Sequence, residues 1–204
     1  MAFLDMISAL PLVAILRGIQ PHEAADIGLA LVDAGFLCLE VPLNSPEPFD
    51  SIARIKAAVG TRALVGAGTV LDVQAVRQVK AAGGEIIISP NANAAVISAA
   101  RSLGMVSMPA FYTPTEAFSA LEAGADALKL FPAEGASPAY LKAINAVLPR
   151  DTGVFVVGGV TPTNMSPWRE AGARGFGIGS ALYRPGRTAS EVGALARDFV
   201  RGWG

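Results

Sequence analysis

Short apolar runs alternate along the chain with longer segments in which apolar positions return every three or four residues. The runs are Val13–Arg17, Cys38–Leu43, Leu64–Thr69, Glu85–Pro90, Val106–Ala110, Ala127–Phe131, Val154–Gly158 and Gly175–Gly179. Each has strand length, is bounded by turn residues, and is too short for a stable helix. Between them, His22–Ala34, Ser51–Val59, Asp72–Ala82, Asn93–Leu103, Thr115–Ala123, Ala139–Leu148, Asn164–Ala171 and Ser190–Val200 read as helices. A short further helix over Ala2–Leu10 is expected before the first strand. In the first long helix the spacing puts Ala25, Leu29 and Val32 on one face. Asp72, Thr115 and Ser137 are the expected N-caps, with Pro114 and Pro138 close by. Gly35, Gly83, Gly124 and Gly172 each follow an alanine at a helix end, where a left-handed residue closes the last turn.

Alternating strand and helix implies a parallel sheet covered by helices. Eight such units, begun at intervals of about 21 to 27 residues with no linker between them, predict a (β/α)8 TIM barrel occupying residues 1–204 as one domain. An open flavodoxin-like or Rossmann sheet needs no such run of evenly spaced units.

Composition sharpens this picture. Of the 204 residues, 52% are hydrophobic and only 16% charged, which suits strands buried on both faces. No apolar run approaches the roughly 18 residues of a membrane span, and the start of the chain lacks the pattern of a signal peptide. A soluble, cytoplasmic protein with no membrane partner is expected. The net charge is −1 and no basic stripe is visible, so nucleic acid is not an expected partner. One cysteine and one histidine cannot make an internal disulfide or a Cys/His metal site. Cys38 reads as a small buried apolar residue, and His22 as a solvated residue in a first helical turn.

The charged residues on the strands are few, and their position matters because a barrel carries its chemistry at the carboxyl ends of its strands. Arg17 ends the first run, Glu40 lies in the second half of the second, and Lys129 sits in the sixth, whereas Glu85 opens the fourth at the opposite end. Side chains alternate across a strand. If Leu128 and Leu130 face the helices, Ala127, Lys129 and Phe131 point into the barrel. If Leu39, Val41 and Leu43 face the helices, Cys38, Glu40 and Pro42 point inward. Glu40 and Lys129 then share one interior. Two readings follow: a structural ion pair, or a lysine whose lost solvation frees its neutral amine to attack a carbonyl, with a carboxylate moving protons beside it.

Glycines mark the ends of the last two strands, in Val157-Gly158-Gly159-Val160 and Ile178-Gly179-Ser180. Glycine lets backbone N–H groups approach an anion, and loops seven and eight of barrels often hold phosphate. Gly66-Ala67-Gly68-Thr69 and Ser89-Pro90-Asn91 end the third and fourth strands. Thr69 and Arg17 either belong to ordinary turns or bind a substrate carboxylate, Arg17 through its planar fork.

Together, Ile15-Leu16-Arg17-Gly18, Leu39-Glu40-Val41, Gly66-Ala67-Gly68-Thr69-Val70, Ile88-Ser89-Pro90, Leu128-Lys129-Leu130-Phe131-Pro132-Ala133-Glu134, Gly158-Gly159-Val160 and Gly179-Ser180 resemble the motifs of the KDPG/KDPGal aldolase family (2-keto-3-deoxy-6-phosphogluconate and -phosphogalactonate). They span nearly the whole chain in family order, and Lys129 to Glu134 is the most specific segment. The resemblance implies a class I aldolase without cofactor or metal, usually a homotrimer, acting on a phosphorylated keto acid. It implies Lys129 as the Schiff-base lysine and Glu40 as the acid/base carboxylate. Arg17 and Thr69 match residues around the pyruvate carboxylate, Phe131 an apolar wall, and Gly158, Gly159, Gly179 and Ser180 the phosphate site; Pro90 is counted with the substrate-binding residues.

Pro42, Asn44 and Val157 resemble the galactonate branch, where the gluconate branch has Thr, Arg and Thr. The expected reaction is therefore cleavage of 2-dehydro-3-deoxy-6-phosphogalactonate to pyruvate and glyceraldehyde 3-phosphate. At Val157 a methyl group replaces a hydroxyl able to bond the C4 hydroxyl, the one centre at which the two substrates differ. The alternatives are the gluconate epimer or both, a sugar-phosphate isomerase using Glu40 as base, and a non-catalytic sugar-phosphate binding barrel.

Overall fold

Eight parallel strands pair in chain order and close on themselves. The computed structural model describes residues 3–204. The strands are β1 (Leu12–Ile15), β2 (Cys38–Pro42), β3 (Leu64–Gly68), β4 (Ile86–Ser89), β5 (Val106–Phe111), β6 (Leu128–Leu130), β7 (Val154–Val157) and β8 (Gly175–Ile178). Closure is direct: Ala14 of β1 lies opposite Leu39 of β2 on one side and Ile178 of β8 on the other. A short helix, α1 (Phe3–Met6), precedes β1. One helix then follows each strand in turn: α2 (Pro21–Asp33), α3 (Pro48–Val59), α4 (Val73–Ala81), α5 (Ala94–Ser102), α6 (Pro114–Glu122), α7 (Pro138–Asn145), α8 (Met165–Glu170) and α9 (Ala189–Trp203). A single 3-10 turn over Ala133–Gly135 lies between β6 and α7. The (β/α)8 barrel expected from the alternation is thus present. Among the described residues no helix is long and apolar enough to cross a membrane.

The sheet divides the apolar side chains into two cores. Between strands and helices lie Leu39, Val41, Leu128, Leu130, Val154 and Val156 with the buried faces of the helices. Inside the barrel lie Val13, Cys38, Leu64, Ile86, Ala127 and Phe155. For β2 and β6 this is the parity read from the sequence, and it follows because each strand buries both faces in different apolar layers. Phe3 and Ile7 close the amino end of the barrel, with the Phe3 ring centroid 5.9 Å from that of Phe155. Apolar filling at that end leaves the carboxyl end for the polar groups.

Several boundaries differ from the sequence reading. The first helix stops at Met6 rather than Leu10; beyond it the Ser8 and Leu10 N–H groups bond Asp5 O and Ile7 O, three residues back, in turns. Ala2 lies outside the described residues. Helix α2 buries Ala24, Ile27, Gly28, Leu31 and Val32: Val32 is buried as expected, whereas Ala25 and Leu29 are only partly covered, so the centre of the buried face lies about one position from the expected one. Asp72 and Ser137 cap α4 and α7 as expected. The cap of α6, however, is Thr113, not Thr115: Glu116 returns a carboxylate to the Thr113 N–H at 2.7 Å, and Pro114 occupies the first helical position. Strand β1 ends at Ile15, so Arg17 stands on the following loop rather than on the strand. Gly35, Gly83, Gly124 and Gly172 all have positive φ at helix ends.

Candidate active site

A cavity of ≈ 630 Å³ opens at the carboxyl end of the barrel. Its inner wall carries Arg17, Glu40, Lys129 and Phe131, and its outer wall Gly158, Gly159, Gly179 and Ser180, with Val157 between. Nine of the residues singled out in the sequence are therefore brought together here. Thr69 and Pro90 are not among the lining residues. They follow β3 and β4 at the same end of the barrel, on the side away from β7 and β8.

Lys129 is central to β6, with Ala110 of β5 and Phe155 of β7 as its neighbours across the sheet. Its side chain is only 7% exposed. Among the described residues no carboxylate lies within 4.0 Å of its ammonium nitrogen. What it does meet is the face of Phe131, whose ring centroid is 4.6 Å from Nζ. Burial holds its pKa below the usual lysine range; the Glu40 charge opposes that shift and the Arg17 charge adds to it.

Glu40 is 2% exposed, and its Oε2 has no hydrogen-bond partner among the described residues. Burial pushes its pKa up to about 7, against the opposite pull of Lys129 and Arg17. Its position depends on a glycine of the next strand: a Cβ at Gly68 would collide with the Glu40 carboxylate. A carboxyl of this kind exists in both protonation states near neutral pH, as a group must that gives and takes a proton in one cycle. Cys38, one turn of the pleat below, is fully buried, and burial pushes its thiol pKa far up. It is the inert core residue expected of it.

Arg17 is fixed by loop contacts. Its Nη1 donates to Asn44 Oδ1 at 2.8 Å, and the neighbouring Gly18 N–H donates to Ser45 Oγ at 2.9 Å. The loop after β2 therefore aims the guanidinium placed by the loop after β1.

At the other wall, Gly158 and Gly159 have φ of 124° and 64°. That conformation turns the chain sharply after β7, and a Cβ at Gly158 would collide with the Glu134 carboxylate. Asn164 ties the turn, donating to Gly159 O at 2.8 Å and accepting from Thr161 N–H at 2.9 Å. After β8 the chain makes one helical turn, in which the Leu182 and Tyr183 N–H groups bond Gly179 O at 2.9 and 3.0 Å. The N–H groups of Gly159, Ser180 and Ala181 have no backbone acceptor among the described residues. Free N–H groups beside glycine turns form a concavity for an anion.

Sequence reasoning missed Tyr183, Arg184 and Glu134 as lining residues. Glu134 lies in the segment quoted for the resemblance but has no periodic signal of its own, because it stands on the 3-10 turn. Arg184 Nε donates to Ser180 O at 2.9 Å, which ties this guanidinium to the β8 turn at the cavity wall. Its only sequence signal is a basic residue four positions after the last strand-end serine. At the opposite end of the barrel a groove of ≈ 580 Å³ holds Arg169, Arg174 and Trp203. There Arg169 is already engaged, its guanidinium carbon 4.0 Å above the Trp203 ring.

Phe111 is buried in the outer core. Tyr112 stacks on Tyr140 with ring centroids 5.5 Å apart. Neither lines the cavity.

The site has relatives. The chain is 50% identical over 195 residues to a 2-dehydro-3-deoxy-6-phosphogalactonate aldolase of Escherichia coli (strain K12), covering 95% of each chain. It is 47% identical over 182 residues to a probable 2-dehydro-3-deoxy-6-phosphogalactonate aldolase of Rhizobium meliloti (strain 1021), covering 89% of this chain and 86% of that one. A solved structure described as native KDPGal superposes with a TM-score of 0.93 at 49% identity, over 95% of this chain and 94% of the other. A 2-keto-3-deoxy-6-phosphogluconate aldolase from Zymomonas mobilis superposes with a TM-score of 0.86 at 27% identity, over 97% and 96% of the two chains. The family model for KDPG and KHG aldolase matches residues 4–192. With its barrel, its buried lysine and these matches over nearly its whole length, the chain belongs to the KDPG and KHG aldolase family.

Proposed function

We propose that this aldolase cleaves 2-dehydro-3-deoxy-6-phosphogalactonate to pyruvate and glyceraldehyde 3-phosphate through an imine on Lys129. The observation that carries the reading is a lysine buried in a cavity and, among the described residues, paired with no carboxylate, beside a glutamate with an oxygen unpartnered among them. A stapling ion pair would hold the two charges in contact, because an unpaired buried charge is costly. Both groups left open to the same cavity suit reaction with a substrate.

The neutral Lys129 amine attacks the C2 ketone. Glu40 protonates the departing carbinolamine oxygen, water leaves and an iminium remains. The Glu40 carboxylate left by that step takes the C4 hydroxyl proton, the C3–C4 bond breaks, its electron pair moves into the iminium, and the aldehyde departs. Glu40 returns a proton to C3 of the enamine, and water frees pyruvate. Arg17 is set to pair with the carboxylate of the keto acid. The N–H groups of Gly159, Ser180 and Ala181, with Arg184, would receive the phosphate at the other end.

Incubation with pyruvate and borohydride, followed by peptide mass spectrometry, tests the imine: one reduced pyruvate is expected on Lys129 and none on Lys129→Met. Folded wild-type protein without an adduct would return the site to the isomerase or binding-protein reading. The epimer rests on Val157, whose methyl groups offer no hydrogen bond to a C4 hydroxyl. Comparing kcat/KM for the galactonate and gluconate substrates checks it, with Val157→Thr expected to shift the ratio toward gluconate. Equal wild-type values would make the enzyme dual-specific.

We also read the active form as a cytoplasmic homotrimer, from the family resemblance. Sedimentation equilibrium should give three times the chain mass of 20.9 kDa. A monomer mass would remove that part of the reading.

A further inference from the structure

The turn after β8 is anchored from outside the cavity by the first β/α unit, which barrel closure places beside it. Tyr183, which closes that turn, is 2% exposed, and its hydroxyl donates to Glu23 Oε1 at 2.8 Å. Glu23 stands in the first turn of α2, and the same oxygen accepts the Gln20 N–H at 3.0 Å. One carboxylate oxygen thus holds both the start of α2 and the end of the β8 turn. Close by, Pro185 lies so near Gly18 that a Cβ on the glycine would stand 2.8 Å from Pro185 Cγ. Gly18 has φ of 84° and follows Arg17 directly. The loop bearing Arg17 and the loop bearing Ser180 and Ala181 are therefore joined at two points, one polar and one apolar.

We propose that the Glu23–Tyr183 hydrogen bond is a positioning device for phosphate recognition, fixing the β8 turn so that the Ser180 and Ala181 N–H groups converge on the phosphate of the substrate. This inference rests on the aldolase reading of the cavity. Glu23 does not line the cavity and touches no reacting atom; it acts through Tyr183. The Tyr183 hydroxyl stays protonated, since burial and the Glu23 carboxylate raise its pKa far above neutrality, so it is the donor throughout the working range. A preset turn gives up less conformational entropy when the anion arrives, and that difference appears as affinity.

The test separates substrates with and without phosphate. Two quantities are measured on the full-length wild-type, Glu23→Ala, Glu23→Gln and Tyr183→Phe proteins. One is KM for the phosphorylated six-carbon keto acid. The other is the pyruvate concentration that half-saturates borohydride trapping on Lys129. Pyruvate carries no phosphate and reports the imine site alone.

Glu23→Ala and Tyr183→Phe should raise the KM about tenfold, the scale on which losing a hydrogen bond to a charged group is felt. The half-saturating pyruvate concentration should move by less than about twofold in Glu23→Ala, the range of a change remote from the reacting atoms. Glu23→Gln keeps an acceptor oxygen and should restore most of the affinity. Parallel rises in both quantities would reduce the pair to general structural support. An unchanged KM in folded Glu23→Ala and Tyr183→Phe proteins would overturn the inference. If wild-type protein traps no pyruvate at all, the aldolase reading falls, and this inference with it.

Discussion

At the scale of single residues, the site uses groups that the fold would be more stable without. Glu40 has a pKa of about 7 in the folded protein against 4.5 for a free side chain. Between those values the folded state holds a proton that the unfolded chain has released. The linkage then has one sign: stability is lost as the pH rises from about 4.5 to about 7, because ionising the buried carboxyl costs more than ionising an exposed one. Glu40→Gln removes that ionisation. Urea denaturation should therefore show a larger stability gain for Glu40→Gln at pH 8 than at pH 5, while kcat falls by about 10² to 10⁴, the span ascribed to general acid–base groups. An equal gain at both pH values would mean that the carboxyl is not held protonated by burial. Lys129 is displaced in the complementary direction, toward the neutral amine that attacks. The sequence made both groups visible, since a charged residue among strand apolars is conspicuous. It did not show Glu134 or Arg184, which lie on irregular turns where no periodicity says which way a side chain points.

At the scale of elements, the chemistry depends on what the neighbouring strands and loops leave out. Gly68, at the end of β3, makes room for the Glu40 carboxylate of β2. Gly68→Ala should lower kcat sharply while the barrel still folds, with circular dichroism as the check on the fold. Full activity would show that the carboxylate can rearrange without cost. Gly158 after β7 carries two constraints at once, a φ of 124° and the closeness of Glu134. Gly158→Ala should raise KM for the phosphorylated substrate and destabilise the protein by about 1–3 kcal/mol, the cost of a side chain in sparsely populated backbone space. Measuring KM and the denaturation midpoint together separates the two effects. The helices repeat one lesson about caps. Thr113, Pro114 and Glu116 form a complete start signal in the sequence, and the cap belongs at the first of them, outside the helix.

For the whole molecule, the two ends of the barrel are functionally opposite because they are filled differently. Phe3 and Ile7 complete the apolar interior at the amino end, and the polar groups collect at the other. Phe3→Ala should destabilise the protein by about 3 kcal/mol, the order expected for deleting a buried aromatic ring. Because Phe3 stands at the closed end, kcat per folded molecule should hardly change; a large fall would mean that the two ends are coupled.

The sequence by itself determined the alternation of strands and helices, the parity of the second and sixth strands, and hence that Glu40 and Lys129 share one interior. These are local properties: a two-residue period and an apolar neighbour on each side fix them wherever the strand is placed. It also carried the motifs of the aldolase family. Only the tertiary structure decided that Glu40 and Lys129 stand apart without an ion pair, that Arg17 is aimed by Asn44, and that Glu23 reaches Tyr183 from the far end of the chain. Closure of the barrel brings β8 back beside β1, so residues 160 positions apart become neighbours. Side-chain distances across that seam depend on the register and tilt of all eight strands together, and no local pattern encodes them.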